Sequence, residues 1–217
     1  NSLELLNAAA CETLATHADL SLAETAYTLI ARVEGTPAVT QSQAQRLTEA
    51  LRHLPLTRPA SVHAWSTAEQ ERLWSTLGEL TRDASGPDAA PDCMVVQVSL
   101  LMSALPAFCQ DVQETAARFD TPWSLVAHAG SGIASVCIPV TNPEAPDVER
   151  LLASLQALEE CVARCQGRRV VARAPATVKQ QCQVWGPPGD DFALMRAIKA
   201  SFDPQHRLNP GRFLGGL

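Results

Sequence analysis

The chain has 217 residues, of which 46% are hydrophobic and 18% are charged, and its formal net charge is −6. A chain of this size and composition can bury a substantial core without disulfides or metal ions. The acidic balance, with no clustered run of Lys and Arg, argues against a nucleic-acid partner, because phosphate binding relies on a basic surface. No apolar stretch approaches the roughly 20 residues of a membrane-spanning helix, so we expect no direct membrane insertion.

The cysteines and the amino terminus favour a cytoplasmic protein. The seven cysteines form an odd and dispersed set, whereas a secreted disulfide framework is usually even in number and locally dense. The amino terminus lacks the charged, apolar and small-residue succession of a signal peptide. The chain begins at Asn1 without a methionine, so we expect a domain excised from a longer polypeptide.

The first half of the chain, residues 1–83, predicts an irregular succession of helices and strands. Its opening residues, SLELLNAAACETLA, follow a helical pattern, and Ala26 to Glu34 is dense in apolar and β-branched residues, which is typical of a buried strand. Residues 84–92 are rich in Gly, Pro, Ala and Asp, which predicts a surface loop. Further predicted elements are a helix from about Val39 to His53, a short strand near Ala60 to Trp65, and a helix capped by Ser66 or Thr67.

Residues 93–173 predict a ferredoxin-like βαββαβ unit, whose helices lie on one face of an antiparallel sheet. The run Gly130-Ser131-Gly132 suits the tight hairpin between its two middle strands. Because the first half looks like a weaker version of this unit, we predict one continuous sheet and an α+β fold. The predicted elements of the unit are strand 93–100, helix 103–119, strand 123–129, strand 132–138, helix 146–165 and strand 168–173.

The C-terminal segment, residues 174–217, ends in an amphipathic helix and a compact turn. The pattern Met195-Arg-x-x-Lys-x-x-Phe-Asp-Pro is followed, five residues later, by Asn209-Pro210-Gly211-Arg212. Helix termination and ordinary turn chemistry account for such residues without any ligand. The order and spacing of the whole segment are more specific than that explanation requires.

This tail resembles the carboxyl terminus of FAD-linked oxidases of the vanillyl-alcohol oxidase type. The runs Arg173-Ala-Pro-Ala and Val184-Trp-Gly-Pro look like the corresponding stretch of the E-type, FAD-binding component of glycolate oxidase, and Glu71-Arg-Leu-Trp looks like a helix of the wider family. The resemblance implies that residues 1–217 are the C-terminal cap domain, which packs over a flavin ring. FAD is then expected to be bound mainly by an N-terminal FAD-binding domain of the same polypeptide, which is missing here.

The same resemblance places the cofactor-binding residues in the final turn. On this reading Asn209 hydrogen-bonds the polar edge of the flavin, and Pro210 and Gly211 shape the approach of the backbone. Arg212 favours the reduced, anionic form of the ring. The resemblance identifies no catalytic residue in this chain.

Two substrate anchors of catalytic relatives are missing. Members of the family that oxidise 2-hydroxy acids carry an arginine on the helix that here contains Trp74, and that guanidinium binds the substrate carboxylate. Leu77 occupies its place. On the next strand those enzymes have a lysine and often an aspartate, where this chain has Val95 and Gln97. The resemblance therefore implies a subunit that assists a catalytic partner.

The metal site of related dehydrogenases is also incomplete. Those relatives carry His-Ala-Gly-Asp-Gly and a second histidine seven residues after the first. This chain keeps His128-Ala-Gly-Ser-Gly, but Ser135 takes the place of the second histidine, and Ala172 and Arg173 replace a later Glu-His pair. We therefore predict no metal, and we interpret His128 as a strand-end residue satisfied by hydrogen bonds.

Three functional hypotheses remain open. The first is the cap of a protein similar to the E-type component of glycolate oxidase, acting in 2-hydroxy acid (glycolate) oxidation with partner oxidase subunits that hold it at the periphery of the inner membrane. The second is a self-sufficient FAD-dependent alcohol or hydroxy acid dehydrogenase, with an apolar pocket near Leu77 and Val95. The third is a non-enzymatic ferredoxin-like interaction module. Under the first hypothesis the isolated fragment is expected to be inactive.

Overall fold

The structure, a computed structural model, describes residues 2–22, 25–54, 62–80 and 92–217. Over these ranges the strands join in one sheet with helices packed against it. The strands are β1 (Ser2–Asn7), β2 (Tyr27–Arg32), β3 (Cys93–Ser99), β4 (Ser124–His128), β5 (Ile133–Pro139) and β6 (Arg168–Arg173). The helices are α1 (Ala8–Ala18), α2 (Pro37–Arg52), α3 (Thr67–Glu79), α4 (Leu105–Arg118), α5 (Val148–Arg164), α6 (Ala176–Lys179) and α7 (Phe192–Phe202).

The described strands pair antiparallel in the order β2-β1-β4-β5-β3-β6. Within the predicted ferredoxin-like unit, β5 lies between β3 and β4, and β3 lies between β5 and β6. Helices α4 and α5 therefore each connect two strands that run parallel with one strand between them, which is the split βαβ arrangement of this unit. The predicted α+β fold with an antiparallel sheet is confirmed.

The segment Ser2–Asn7 forms strand β1, so our prediction of a helix there is wrong. β1 pairs with β2 on one side and with β4 on the other, and this pairing joins the first half to the ferredoxin-like unit in one continuous sheet, as predicted. Leu and Glu are good helix formers, so the local composition favours a helix. Backbone pairing along both edges of β1 outweighs that propensity, and Asn7 then begins α1 as its N-cap.

Helices α4 and α5 cover one face of the sheet, as the ferredoxin-like prediction requires. Side chains that alternate along the strands, such as Leu125 and Ala127 of β4, point into this core. Trp123 and Phe108 are its bulkiest fully buried members. Because these side chains point into the core, the intervening residues of β3 to β6 point to the opposite face of the sheet.

Helices α1 and α3 lie on the opposite face of the sheet, which the sequence pattern did not predict. Val126 points there because its neighbours in β4 point the other way, and it joins a second core with Leu6 and Ile30. Leu14 of α1 and Leu73 of α3 close this core from outside. The first half of the chain is therefore more than an extension of the sheet, since it covers part of the second face.

Among the described residues, another part of the second face is exposed, whereas Val95, Ser135 and Cys137 of the same face are buried. Gln97 of β3 points to the same side as Val126, because both pair with Ser135 of β5. The side chains of Gln97 and Ala172 are exposed there. We call this open part of the sheet the bare face, and it is formed by Gln97, Ser99, Ile133, Val170 and Ala172.

The other first-half predictions have mixed outcomes. Helices α2 and α3 agree with prediction to within a few residues, and Ser66 caps α3 in a reciprocal capping box with Glu69. Of the strand predicted near residues 60–65, the described part 62–65 is not a strand, and the loop predicted at 84–92 lies outside the described residues except for Asp92. Among the helices in the described ranges, none has the length and apolar character needed to cross a membrane.

Asn7 joins β1, α1 and the start of β4. Its Oδ1 accepts hydrogen bonds from the N–H of Ala10 at 3.0 Å and from the N–H of Leu125 at 2.9 Å. Its Nδ2 donates to the carbonyl oxygen of Trp123 at 2.7 Å. One side chain thus caps a helix and closes the junction between two strands.

We expect Asn7→Ala to lower the free energy of unfolding by about 2–3 kcal/mol, because it removes the cap and leaves partly buried backbone groups unpaired. Asn7→Asp keeps both acceptor roles but places a carboxylate oxygen where Nδ2 donates to the carbonyl oxygen of Trp123, so the repulsion between the two oxygens should also lower the stability. Urea unfolding followed by tryptophan fluorescence measures both variants. Equal stability of Asn7→Ala and the unchanged chain would contradict this role.

Candidate functional site

The tail after α7 is organised around the carboxylate of Asp203. The N–H groups of Arg207 and Leu208 donate to its two oxygens at 2.8 and 3.0 Å, and Lys199 Nζ lies 2.6 Å from Oδ2. Lys199 also donates to the carbonyl oxygen of Leu208 at 2.6 Å. The hydrogen bond from Lys199, followed by those from the backbone, lowers the pKa of Asp203 to about 2. The carboxylate is thus enclosed by its own partners, and it fixes the chain that leads to the final turn.

The predicted site residues 209–212 form a tight turn at the surface. The N–H of Arg212 donates to the carbonyl oxygen of Asn209 at 3.2 Å. Asn209 and Gly211 have positive φ angles of 44° and 71°, which asparagine and glycine tolerate better than other residues. All four residues, Pro210 included, are exposed. The turn is therefore accessible to a ligand, and the roles assigned to its residues stay predictions.

Trp185 supports the end of this turn. Its Nε1 donates to the carbonyl oxygen of Arg212 at 3.0 Å, and its ring contacts Phe213 edge to face at a centroid distance of 4.7 Å. The stretch before Trp185 adds to the edge of β6, since the N–H of Val171 donates to the carbonyl oxygen of Val184 at 2.7 Å. The Trp-Gly-Pro run of the sequence therefore connects the sheet to the tail.

A groove of about 630 Å³, which we call the tail groove, links the turn to the bare face. Its walls come from β6, from the loop after α6, and from the tail. Because Val170 and Ala172 belong to both the groove and the bare face, the turn and the bare face form one continuous surface. The lining residues include Val170, Ala172, Trp185, Gly211, Arg212 and Phe213.

The positions of the missing substrate anchors lie in different environments. Leu77 is 7% exposed and belongs to the second core beneath α1 and α3, and Val95 is 1% exposed. Gln97, by contrast, is exposed on the bare face. Our hypothesis of an apolar substrate pocket near Leu77 and Val95 is therefore wrong, because neither side chain is accessible.

His128 lies at the end of β4 beside a buried carboxylate that sequence reasoning missed. Its Nδ1 is 2.6 Å from Oε2 of Glu4, whose side chain is 5% exposed, whereas the His128 side chain is 59% exposed. The two residues are register partners in β1 and β4. A helix over residues 1–14 would not place them together, since only a strand puts them on one face. The alternation Leu3-Glu4-Leu5 is the signal that could have revealed this pair.

The residues related to the family's metal site do not assemble into one here. Within the described ranges, no three His, Cys, Asp or Glu side chains come together in a way that could hold a metal ion. Ser135, at the place of the second histidine, is buried and lies between Val126 and Gln97 in the sheet. That this chain holds no metal stays a prediction.

The sequence as a whole matches a known protein family. The family described as FAD linked oxidases, C-terminal domain, aligns with residues 1–170 and 179–213. No curated protein matches the chain. The family alignment spans both halves of the sheet and includes the turn 209–212.

We expect the backbone amide signals of Arg207 and Leu208 to report the titration of Asp203. The pKa of Asp203 in the fold, about 2, lies below the usual value of about 3.9, so its carboxylate stabilises the tail above about pH 4. That stabilisation is lost as the pH falls through the folded pKa of about 2. An NMR titration should show this low midpoint and no titration in Asp203→Asn. A midpoint near the usual value would contradict the interaction with Lys199.

Proposed function

Because this chain belongs to the FAD-linked oxidases, as their C-terminal domain, we propose that it is the cap of a flavin-dependent oxidoreductase. The cofactor of this family is FAD. We infer that the cap packs over a flavin held by the FAD-binding domain of the same polypeptide. The observation that carries the proposal is the exposed turn 209–212, which lies beside the bare face along one groove.

The chemistry of the turn suits the flavin. When bound, FAD accepts the electrons of the reaction, and its ring carries hydrogen-bond donors and acceptors along one polar edge. The carboxamide of Asn209 offers both a donor and an acceptor, and the guanidinium of Arg212 offers a positive charge that favours an anionic reduced ring. A Cβ built on Gly211 meets no described atom within 4 Å, so the backbone there is open to close approach.

Exposed apolar side chains beside the turn support a docked domain. Leu194, Ile198 and Phe202 are spaced four residues apart on one side of α7, and Phe202 is 83% exposed. Leu208, just before the turn, is also exposed. Contiguous exposed apolar surface is typical of an interaction site. We infer that the FAD-binding domain covers this stripe, the turn and the bare face, and so excludes water from the flavin.

We further infer that the parent protein is of the glycolate oxidase E type. By the resemblance, Leu77, Val95 and Gln97 stand where catalytic relatives carry charged substrate anchors; Leu77 and Val95 are buried, and Gln97 is exposed but uncharged. The protein would then assist a catalytic partner in the oxidation of 2-hydroxy acids. We propose a cytoplasmic location, with contact to the inner membrane only through partner subunits. On this proposal the isolated chain has no activity.

One observation favours a second candidate, a self-sufficient hydroxy acid or alcohol dehydrogenase. The Glu4–His128 pair places an exposed imidazole beside a buried carboxylate, and such a pair can accept a proton from a hydroxyl group. One experiment separates the two candidates. The intact flavoprotein, purified without partner subunits, reduces its own flavin with some member of a panel of alcohols and hydroxy acids only if the second candidate is correct.

We expect Asn209→Ala to weaken the binding of FAD by about 1–3 kcal/mol in the polypeptide that includes the FAD-binding domain, because the polar edge of the ring loses a partner. Gln205→Ala changes an exposed residue of the same tail outside the turn, so it is the matched control and should leave the affinity unchanged. Fluorescence titration of the apoprotein with FAD measures both. If Asn209→Ala binds FAD as tightly as the unchanged protein, the proposed role of Asn209 is contradicted, and the non-enzymatic interaction module is favoured.

A further inference from the structure

Two cysteines on neighbouring strands, Cys93 of β3 and Cys137 of β5, have no part in the proposed function. Cys137 lies opposite Val95, and Cys93 lies opposite Pro139, so the two cysteines are diagonal neighbours in the antiparallel ladder. They point to the same face of the sheet, because Cys93 and Val95 are two residues apart in β3. Their side chains form a hydrogen bond. We call these two residues the thiol pair.

The thiol pair lies between the interior of the protein and its surface. Cys137 is 7% exposed, and its Sγ atom lies 3.7 Å from the carbonyl oxygen of Leu80, just after α3. Cys93, by contrast, is partly exposed at the start of β3. In the part of the chain that the structure describes, Cys93 therefore gives a small, uncharged oxidant access to the pair.

The hydrogen bond between the two thiols favours a thiolate on Cys137. Because Cys93 donates its S–H, this bond lowers the pKa of Cys137, whereas burial raises it. The carboxylate of Asp92 also raises this pKa, and the guanidinium of Arg173 lowers it. Arg173 is the register partner of Val95 in β6, so the sheet holds its positive charge near the pair. The thiolate is the form of cysteine that reacts with oxidants.

We propose that the thiol pair is a reversible redox site, at which hydrogen peroxide joins Cys93 and Cys137 in an intramolecular disulfide. The thiolate of Cys137 attacks one oxygen of the peroxide, the O–O bond breaks, and the departing hydroxide takes a proton to become water. Cys93 then attacks the sulfur of the resulting sulfenic acid, and its proton leaves with the displaced hydroxide as a second water. The two thiols are oxidised by two electrons, and the peroxide is reduced. A thiol reductant reverses the reaction by attack on the disulfide.

The other closely spaced cysteines are less suited to this chemistry. Cys161 and Cys165 are about one helical turn apart on α5, but Cys161 is fully buried, and its Sγ atom donates to the carbonyl oxygen of Ala157 at 3.3 Å. Metal binding is also a poor fit to the thiol pair, because a structural zinc site takes four ligands. Over the described ranges, no group of three His, Cys, Asp or Glu side chains able to hold a metal ion includes the pair. Its arrangement therefore favours thiol oxidation.

The test treats the reduced 217-residue chain with hydrogen peroxide, blocks the remaining thiols, and maps its peptides by mass spectrometry without reduction. We expect a peptide in which Cys93 is linked to Cys137, and we expect dithiothreitol added before blocking to remove it. Cys182 is the internal control, because it is partly exposed like Cys93 but burial raises its pKa. The linked peptide should form at least about tenfold faster than Cys182 is oxidised. Oxidation of Cys182 before the linked peptide appears overturns the proposal.

Two variants at the partly exposed Cys93 separate its roles. Cys93→Ser prevents the disulfide but keeps a hydrogen-bond donor, so Cys137 should accumulate as a sulfenic acid that dimedone labels. Cys93→Ala removes the donor as well, so dimedone should label Cys137 at least about tenfold more slowly at neutral pH. Equal labelling of the two variants, or no label on Cys137 in Cys93→Ser, overturns the proposal. No flavin takes part in these reactions, so such a failure leaves the proposed function to its own test.

Discussion

The alternation of side chains across an antiparallel sheet is the constraint on which the rest of this structure depends. Because α4 and α5 bury every second side chain of β3 to β6, the intervening residues must point to the other face. The first half of the chain covers only part of that face, with α1 and α3 over Val126. What remains is a bare face beside the tail, and its position follows from packing elsewhere in the molecule.

The tail lies beside the bare face and is held there by two sets of interactions. Asp203, held by Lys199 and by backbone N–H groups, fixes the chain after α7, and Trp185 ties the end of the turn to the edge of β6. Between these supports, Asn209 is left exposed in a constrained backbone conformation. A polar residue held in this way loses little conformational freedom when it binds a ligand, which suits a contact with a rigid cofactor ring.

The ferredoxin-like unit and the final turn were predictable because their signals are local. Strands β3 to β6 and helices α4 and α5 have typical lengths and follow the order βαββαβ. The turn has characteristic residues at fixed spacing. β1 was not predictable from local propensity, because its partners β2 and β4 are remote in sequence. Because that strand was missed, the pairing of Glu4 with His128 was missed as well. The covering of both sheet faces depends on the same long-range pairing.

Side-chain footprinting tests the central claim most directly, which is that the bare face and the tail together receive the flavin-bearing domain. Hydroxyl-radical labelling of this chain, alone and with the FAD-binding domain and FAD, compares Ile133, Trp185 and Phe202 with exposed residues of α4 and α5 such as Gln110 and Gln156. The account predicts protection of the first three side chains and unchanged labelling of the two glutamines. Protection of the α4 and α5 surface, with the bare face and tail still labelled, would contradict it.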